Sequence, residues 1–173
     1  IRKGWLDLTA GKVPEGLQLW IEATAVSDME TSAALESLFT NGGETFLERL
    51  SKVAGAARPE AIPRLEALAR APSLSPETRF LFVRGLIALE ASDQAAAILE
   101  RFASSWDGSD SLRRAFLSRF WRSEIRRRIE SGRFESALAA IDLLRRVDEG
   151  AGRSQHALWL IGRIGAARES NDL

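Results

Sequence analysis

The stretch ESGRFESALAAIDLLRR, residues 130–146, predicts the elbow of a helical hairpin. Gly132 interrupts a helical pattern, which resumes at once with Phe134 and continues through Ala137 and Ile141. A glycine between two amphipathic segments is typical of a tight turn. A small residue such as Ala137 allows two helices to approach closely, and a bulky residue one turn later fills the wedge between them. The spacing therefore indicates two helices that are joined at Gly132.

Two other stretches have a similar pattern, TAGKVPEGLQLWIEA at 9–23 and EASDQAAAILERFAS at 90–104. In each, a turn residue (Gly11 or Ser92) precedes an apolar or small residue, a second one three positions later and a bulky one four positions beyond that. A single hairpin buries one face and leaves another apolar face uncovered, so hairpins are expected to stack. The three sets are Val13, Gly16 and Trp20; Ala95, Ile98 and Phe102; and Phe134, Ala137 and Ile141.

Turn-forming residues divide the chain into about ten predicted helical segments. NGG at 41–43 predicts a turn between two of them, and DGSD at 107–110 predicts another. Ser75 followed by Pro76 is typical of a helix start, and the last helix is expected over about 153–168. Tyrosine is absent, and no segment alternates β-branched with polar residues over a strand length. The sequence therefore predicts an all-α fold.

The composition excludes several chemistries. The 24 Lys and Arg residues balance the 24 Asp and Glu residues, so no strong overall field attracts nucleic acid or an anionic membrane. The absence of cysteine excludes disulfides, thiolate catalysis and Cys-based zinc sites. No apolar run reaches the ~18 residues that a membrane span needs.

The chain begins with Ile1, which predicts a processed form or a piece of a longer protein. The Ala- and Arg-rich composition suggests a bacterial origin, and the absence of cysteine leaves the compartment open, since it suits both the cytoplasm and the periplasm or cell envelope.

The elbow spacing resembles the tetratricopeptide repeat family, whose 34-residue unit has an aromatic residue at the start of its second helix, then an alanine, then a large apolar residue. Trp121 lies 16 residues before Ala137, and Gly4 lies 12 residues before Gly16, where the family has a large and a small residue. The resemblance covers about half of the chain. It implies stacked antiparallel hairpins that form a right-handed superhelix, as a single domain over residues 1–173.

The chain also departs from the family pattern. Glu124, Ile125 and Arg128 occupy positions where the family prefers Leu, Gly and Tyr. The second and third elbows are 39 residues apart, measured from Ile98 to Ala137. An irregular helical bundle is therefore the alternative to a degenerate repeat.

No catalytic residue, metal ligand or cofactor site is predicted. His156 is the only histidine, and its position near the start of the last helix favours a packed or surface residue over a catalyst. The motif ESGRF at 130–134 resembles the catalytic glutamate motif of lytic transglycosylases, but the Gly-Leu-Met-Gln run that follows it in that family is absent. The five tryptophans, among them Trp106, lie within or at the ends of apolar-periodic segments, which favours roles as wedges between helices.

A basic stretch, 111–133, is the strongest candidate binding site. At about 100° per residue, Arg119, Arg122 and Arg126 fall within about 60° of one another on a helix. In the family register they line the concave groove, where their guanidinium forks suit a carboxylate of an acidic segment or a chain terminus. The alternative is a solvated helix face on which nearby acids neutralise the arginines, with Glu124 paired to Arg128 and Glu130 to Arg126.

The leading functional hypothesis is a non-enzymatic scaffold or adaptor module that binds a peptide or protein segment, without nucleic acid and without membrane insertion. A second hypothesis is a superhelical accessory domain of a larger cell-envelope enzyme, similar to lytic transglycosylases, which lacks its own catalytic site. A third is self-association through an uncapped end of the helical array.

Overall fold

A computed structural model of the chain describes residues 1–26, 29–103 and 110–171. In these residues it contains nine α-helices and no β-strand, which confirms the all-α class. The chain divides into two compact units, Ile1–Arg101 and Phe102–Leu173, and a single domain over residues 1–173 stays a prediction. The helices are α1 (Arg2–Thr9), α2 (Val13–Ala25), α3 (Met29–Ser51), α4 (Ala57–Arg70), α5 (Pro76–Ala88), α6 (Ser92–Arg101), α7 (Ser111–Glu130), α8 (Phe134–Val147) and α9 (Glu149–Asn171).

The first unit packs α1 to α6 around an aromatic core. Helices α1 and α2 form the first hairpin, α2 contacts α4, and α5 contacts α3, α4 and α6. The buried rings of Trp20, Phe39, Phe46 and Phe82 meet with centroids 4.9 to 5.9 Å apart. Most of these pairs are edge to face, an arrangement that stabilises aromatic pairs beyond the area they bury. The cluster therefore holds α2, α3 and α5 together.

All three predicted elbows occur, and they share one backbone arrangement. Each contains a residue with positive φ, at 83° for Gly11, 55° for Glu90 and 71° for Gly132. The next amide donates a hydrogen bond to the carbonyl five residues earlier, which is the bond of a Schellman turn. These donors and acceptors are Lys12 and Asp7, Ala91 and Leu86, and Arg133 and Arg128, at 2.8 to 2.9 Å.

The predicted register of the second elbow is wrong. The chain turns at Glu90 rather than at Ser92, so Ala95 and not Ile98 corresponds to Gly16 and Ala137. A glutamate rarely adopts positive φ. Here Arg58 supports it, since its guanidinium donates to the Leu89 carbonyl at 2.9 Å from Nε and pairs with the Glu90 carboxylate at 2.7 Å.

The predicted turn at 41–43 is also wrong, because α3 runs through it without a break. A Cβ on Gly42 would lie 2.8 Å from the ring of Trp5, and one on Gly43 would lie 3.3 Å from the side chain of Leu81. The Asn41 side chain donates to the Ser37 carbonyl one turn earlier, at 2.9 Å. These glycines thus serve close packing instead of a turn, and two predicted segments are one helix.

The second unit packs α7, α8 and α9 on one another. Trp121, Ala137 and Ile141 are buried at the third elbow, as its pattern predicts. The Nε1 of the buried Trp159 donates to the Phe134 carbonyl at 2.8 Å, which fixes α9 against the start of α8. Helix α9 begins at Glu149, four residues before the predicted start.

Two predictions fall on the segment between residues 103 and 110. Residues 107–109 of the predicted turn and Trp106 lie outside the described residues. The last residue of that turn, Asp110, caps α7, since its carboxylate accepts a hydrogen bond from the Leu112 amide at 2.8 Å. The helix start that follows the DGSD sequence is therefore as predicted.

Candidate peptide-binding groove

One side of α7 and the junction between α8 and α9 border an open groove of about 690 Å³. The α7 residues recur every three to four positions over three turns, so they share one face of the helix. The opposite wall comes from the two residues at the junction. The lining residues are Ser111, Arg114, Ala115, Ser118, Arg119 and Arg122 of α7, with Val147 and Asp148.

The three arginines that the sequence predicts for the site are all exposed. Arg119 and Arg122 line the groove. Arg126 lies one turn further along α7 and is not among the lining residues that the structure describes. In the described part of the chain it forms no ion pair with Glu130, the acid expected to balance it. The groove thus unites two of the three predicted residues.

Asp148 links the groove wall on α7 to the start of α9. Its Oδ1 accepts a hydrogen bond from the Ala151 amide at 2.9 Å and so caps α9. Its Oδ2 accepts from the Ser118 hydroxyl at 3.0 Å and from Nη2 of Arg122 at 3.1 Å. The bond from the Ala151 amide is the main cause of a lowered pKa for this carboxyl, and the bonds from Ser118 and Arg122 add to it against the opposing effect of burial. Asp148 therefore stays ionised at neutral pH.

Arg114 and Asp148 are the charged lining residues that the predicted site lacks. Arg114 lies about 140° from Arg119 around α7, outside the narrow stripe from which the site was predicted. Asp148 belongs to another helix junction and meets α7 only through tertiary packing. The DE pair at 148–149 contains a helix N-cap signal that would have indicated the start of α9.

The far side of α7 carries a buried ion pair. Nε of Arg128 lies 2.6 Å from Oε1 of Glu124, with side chains only 8% and 2% exposed. Arg127 also donates to the Glu124 carboxylate, and Nη1 of Arg128 donates to the Ser136 carbonyl of α8 at 2.8 Å. The i,i+4 pairing is as predicted, but the interpretation as a solvated face is wrong for this pair because packing against α8 covers it.

His156, the single histidine of the chain, contacts Arg145 and Trp159. Nη2 of Arg145 lies 2.8 Å from Nδ1 of His156, which must accept because a guanidinium only donates. The imidazole ring lies 5.6 Å from the ring of Trp159. Within the described ranges, no group of three or more His, Asp or Glu side chains is placed to hold a metal ion.

A second cavity, of about 300 Å³, lies between α3 and α5 in the first unit. Glu36 accepts hydrogen bonds there from the Ser75 amide at 2.6 Å, from the Ser75 hydroxyl at 2.7 Å and from the Thr78 hydroxyl. A carboxylate at the start of α5 complements the helix dipole, and Ser75 caps the helix as predicted. Because these groups bind one another and fix α3 to α5, the groove on α7 is the stronger candidate site.

Comparisons with protein-family models, with curated proteins and with solved structures give no significant match. The tetratricopeptide resemblance therefore depends on the elbow residues and stays a prediction. In the part of the chain that the structure describes, no helix is both long and apolar enough to cross a membrane.

Proposed function

We propose that this chain is a non-enzymatic interaction module, a tetratricopeptide-like helical array that binds a segment of a partner protein. The shared Schellman bond of the three elbows supports a repeated hairpin unit. The packing of α9 on both helices of the preceding hairpin supports stacking of such units. The right-handed superhelix belongs to this proposal.

The groove on α7 is the observation that carries the proposal. It is open to solvent, its walls come from α7, the last residue of α8 and the α9 cap Asp148, and two exposed arginines predicted for binding line it. Packed helices hold the backbone of the site in place, so no backbone has to be ordered when a ligand binds. An extended segment in such a groove would combine shape with charge recognition.

Charge reversal of the predicted stripe tests the proposal. The variant Arg119→Glu/Arg122→Glu/Arg126→Glu is expected to lose a partner that the unmodified chain retains in an affinity pull-down from lysate of the source organism. The variant Arg146→Glu/Arg153→Glu/Arg168→Glu has the same change in charge at exposed positions outside the groove, and it is expected to keep that partner. Far-UV circular dichroism would verify that both variants fold.

Two other results of this experiment would change the assignment. A partner that all three proteins retain would keep the module but place its binding surface outside the groove. No partner for any of them would contradict binding to a separate protein. That result would favour the accessory-domain hypothesis, in which the chain acts within a larger cell-envelope enzyme.

Self-association is a second candidate, which the outer face of α9 favours. Leu160, Ile161 and Ile164 lie within little more than one turn, and these residues are 47%, 67% and 53% exposed. A patch of large aliphatic side chains on one helix is typical of an interaction surface. The formal net charge of zero means that no net long-range repulsion opposes the association of two copies.

Multi-angle light scattering tests self-association. The mean mass is expected to rise with concentration for the unmodified chain and to stay at that of a monomer for Ile161→Lys. The control Ala157→Lys changes an exposed residue one turn earlier on α9 and removes less apolar surface, so it is expected to weaken association less. A strict monomer over a wide concentration range would contradict self-association.

A further inference from the structure

We propose that the groove binds a short acidic peptide segment whose carboxylate pairs with Arg119, and that Asp148 competes with this segment as an internal carboxylate ligand of Arg122. This inference depends on the proposed function, because it names the partner chemistry of the same groove. It adds a contact by which the chain limits its own affinity.

The charge of the groove selects an acidic occupant. Arg119 and Arg122 line the groove, and Asp148 is the one acid among its described lining residues, a formal charge of +2 − 1 = +1 when Arg114 is left out because it interacts with another group. The lining has no aromatic side chain in the described residues, so it offers no platform for stacked nucleic-acid bases. An acidic peptide therefore fits the groove better than nucleic acid does.

The length of the groove sets the size of the segment. From Ser111 to Arg122 the α7 wall spans eleven residue steps, or about 16 Å at the rise of an α-helix. An extended peptide rises about 3.3 Å per residue, so about five residues fit along the wall. Each carboxylate of such a segment would lie within reach of only one or two arginines.

Arg119 is the arginine of the groove whose charge is available to a ligand. It is exposed, and it has no ion pair or hydrogen bond within the described residues. Arg122 lies three residues further along the same face, at a Cβ separation of about 5–6 Å. Its Nη2 already donates to Asp148, and the guanidinium keeps further donors. A carboxylate at Arg119 can thus also reach Arg122.

Asp148 opposes this binding. An incoming carboxylate that reaches Arg122 meets the negative charge that Asp148 already holds there. Substitution by asparagine removes that charge but keeps an Oδ1 that accepts the Ala151 amide, and asparagine is among the best helix N-caps. Asp148→Asn therefore separates competition at Arg122 from the capping of α9.

The experiment measures binding of two fluorescent peptides to the full chain by anisotropy. One peptide is a five-residue alternation of Glu and Asp between glycines, and the other has Gln and Asn in the same positions. Arg119→Gln is expected to weaken the acidic peptide by about tenfold, the usual effect of losing a charged hydrogen bond. Asp148→Asn is expected to tighten it by about three- to fivefold, as for a partly exposed ion pair. Arg153→Gln, an exposed control outside the groove, is expected to change nothing.

Each other outcome overturns a defined part of the inference. Equal binding of the acidic and amide peptides would exclude carboxylate recognition. The interaction module would still be supported if the charge-reversed stripe variant lost its partner in the pull-down. If Asp148→Asn weakens binding of the acidic peptide or leaves it unchanged, competition by Asp148 is excluded. No binding to the unmodified chain or to Asp148→Asn would exclude the acidic segment itself. Thermal unfolding of each variant would show that α9 stays packed.

Discussion

The variant Glu124→Leu is expected to lose about 3–5 kcal/mol of unfolding free energy. Glu124 is the acceptor for both Arg127 and the buried Arg128. Its removal takes the Glu124 counter-charge away from the Arg128 side chain, which is only 8% exposed and packs between α7 and α8. The loss would appear as a lower midpoint in urea denaturation followed by far-UV circular dichroism.

The double variant Glu124→Leu/Arg128→Tyr is the matched control. It removes both charges and introduces the residue types that the tetratricopeptide family prefers at these positions. Replacement of a buried ion pair by apolar residues of similar size is often neutral or stabilising, so the double variant is expected to recover most of the loss. Arg128→Leu alone should cost less than Glu124→Leu, because the Glu124 carboxylate keeps Arg127. A single Glu124→Leu variant as stable as the unmodified chain would mean that water reaches Arg128.

The sequence predicts that Glu124 and Arg128 pair, but it does not predict that they are buried. The i,i+4 spacing determines that the side chains meet along α7. Whether water reaches them depends on α8, whose Ser136 carbonyl accepts a bond from Arg128. Charged residues are seldom fully buried unless paired, so the spacing alone favours the exposed interpretation, which is wrong here.

The dependence on other helices also separates the parts of the fold and site that the sequence predicts from the parts that it does not. Gly11 and Gly132 are turns, as predicted, because their positive φ is a local property that glycine permits. Gly42 is not a turn, because it is needed for contact with Trp5 of another helix. In the groove, Arg119 follows from the periodicity of α7, whereas Asp148 enters from a different helix junction. The glycine turns therefore follow from the local sequence, whereas the contact of Gly42 with Trp5 and that of Asp148 with α7 depend on packing between distant segments.

A glycine-to-alanine substitution can be compared at two helical positions, one in the contact between α1 and α2 and the other on α9. Gly16→Ala is expected to lose unfolding free energy, because overpacking costs about 1–3 kcal/mol and outweighs the helix propensity that alanine adds. A Cβ on Gly16 would lie 2.5 Å from the Gly4 carbonyl oxygen and 3.3 Å from the Leu8 amide nitrogen. Both are backbone atoms, so relief requires a shift of α1 as a whole.

Such a shift would also disturb the core of the first unit. Trp20 is fully buried, and its Nε1 donates to the Ile1 carbonyl at 3.2 Å. A Cβ on Gly4 would lie 2.6 Å from the same Nε1, so the indole fills the space that these glycines leave. Movement of α1 would open a gap beside this ring, and the lost contacts would add to the overpacking cost.

Gly165→Ala is the matched control on α9, where a Cβ would meet no atom within 4 Å. Alanine is favoured over glycine by about 1 kcal/mol in a helix interior, so this variant is expected to be more stable than the unmodified chain. The same gain in helix propensity applies at Gly16 and reduces the net loss there. Opposite shifts of the urea midpoint for the two variants would show that contact with Gly4 requires glycine at position 16. A gain at both sites would contradict the close approach of α1 and α2, and the first elbow would then be an ordinary turn without the tight helix contact.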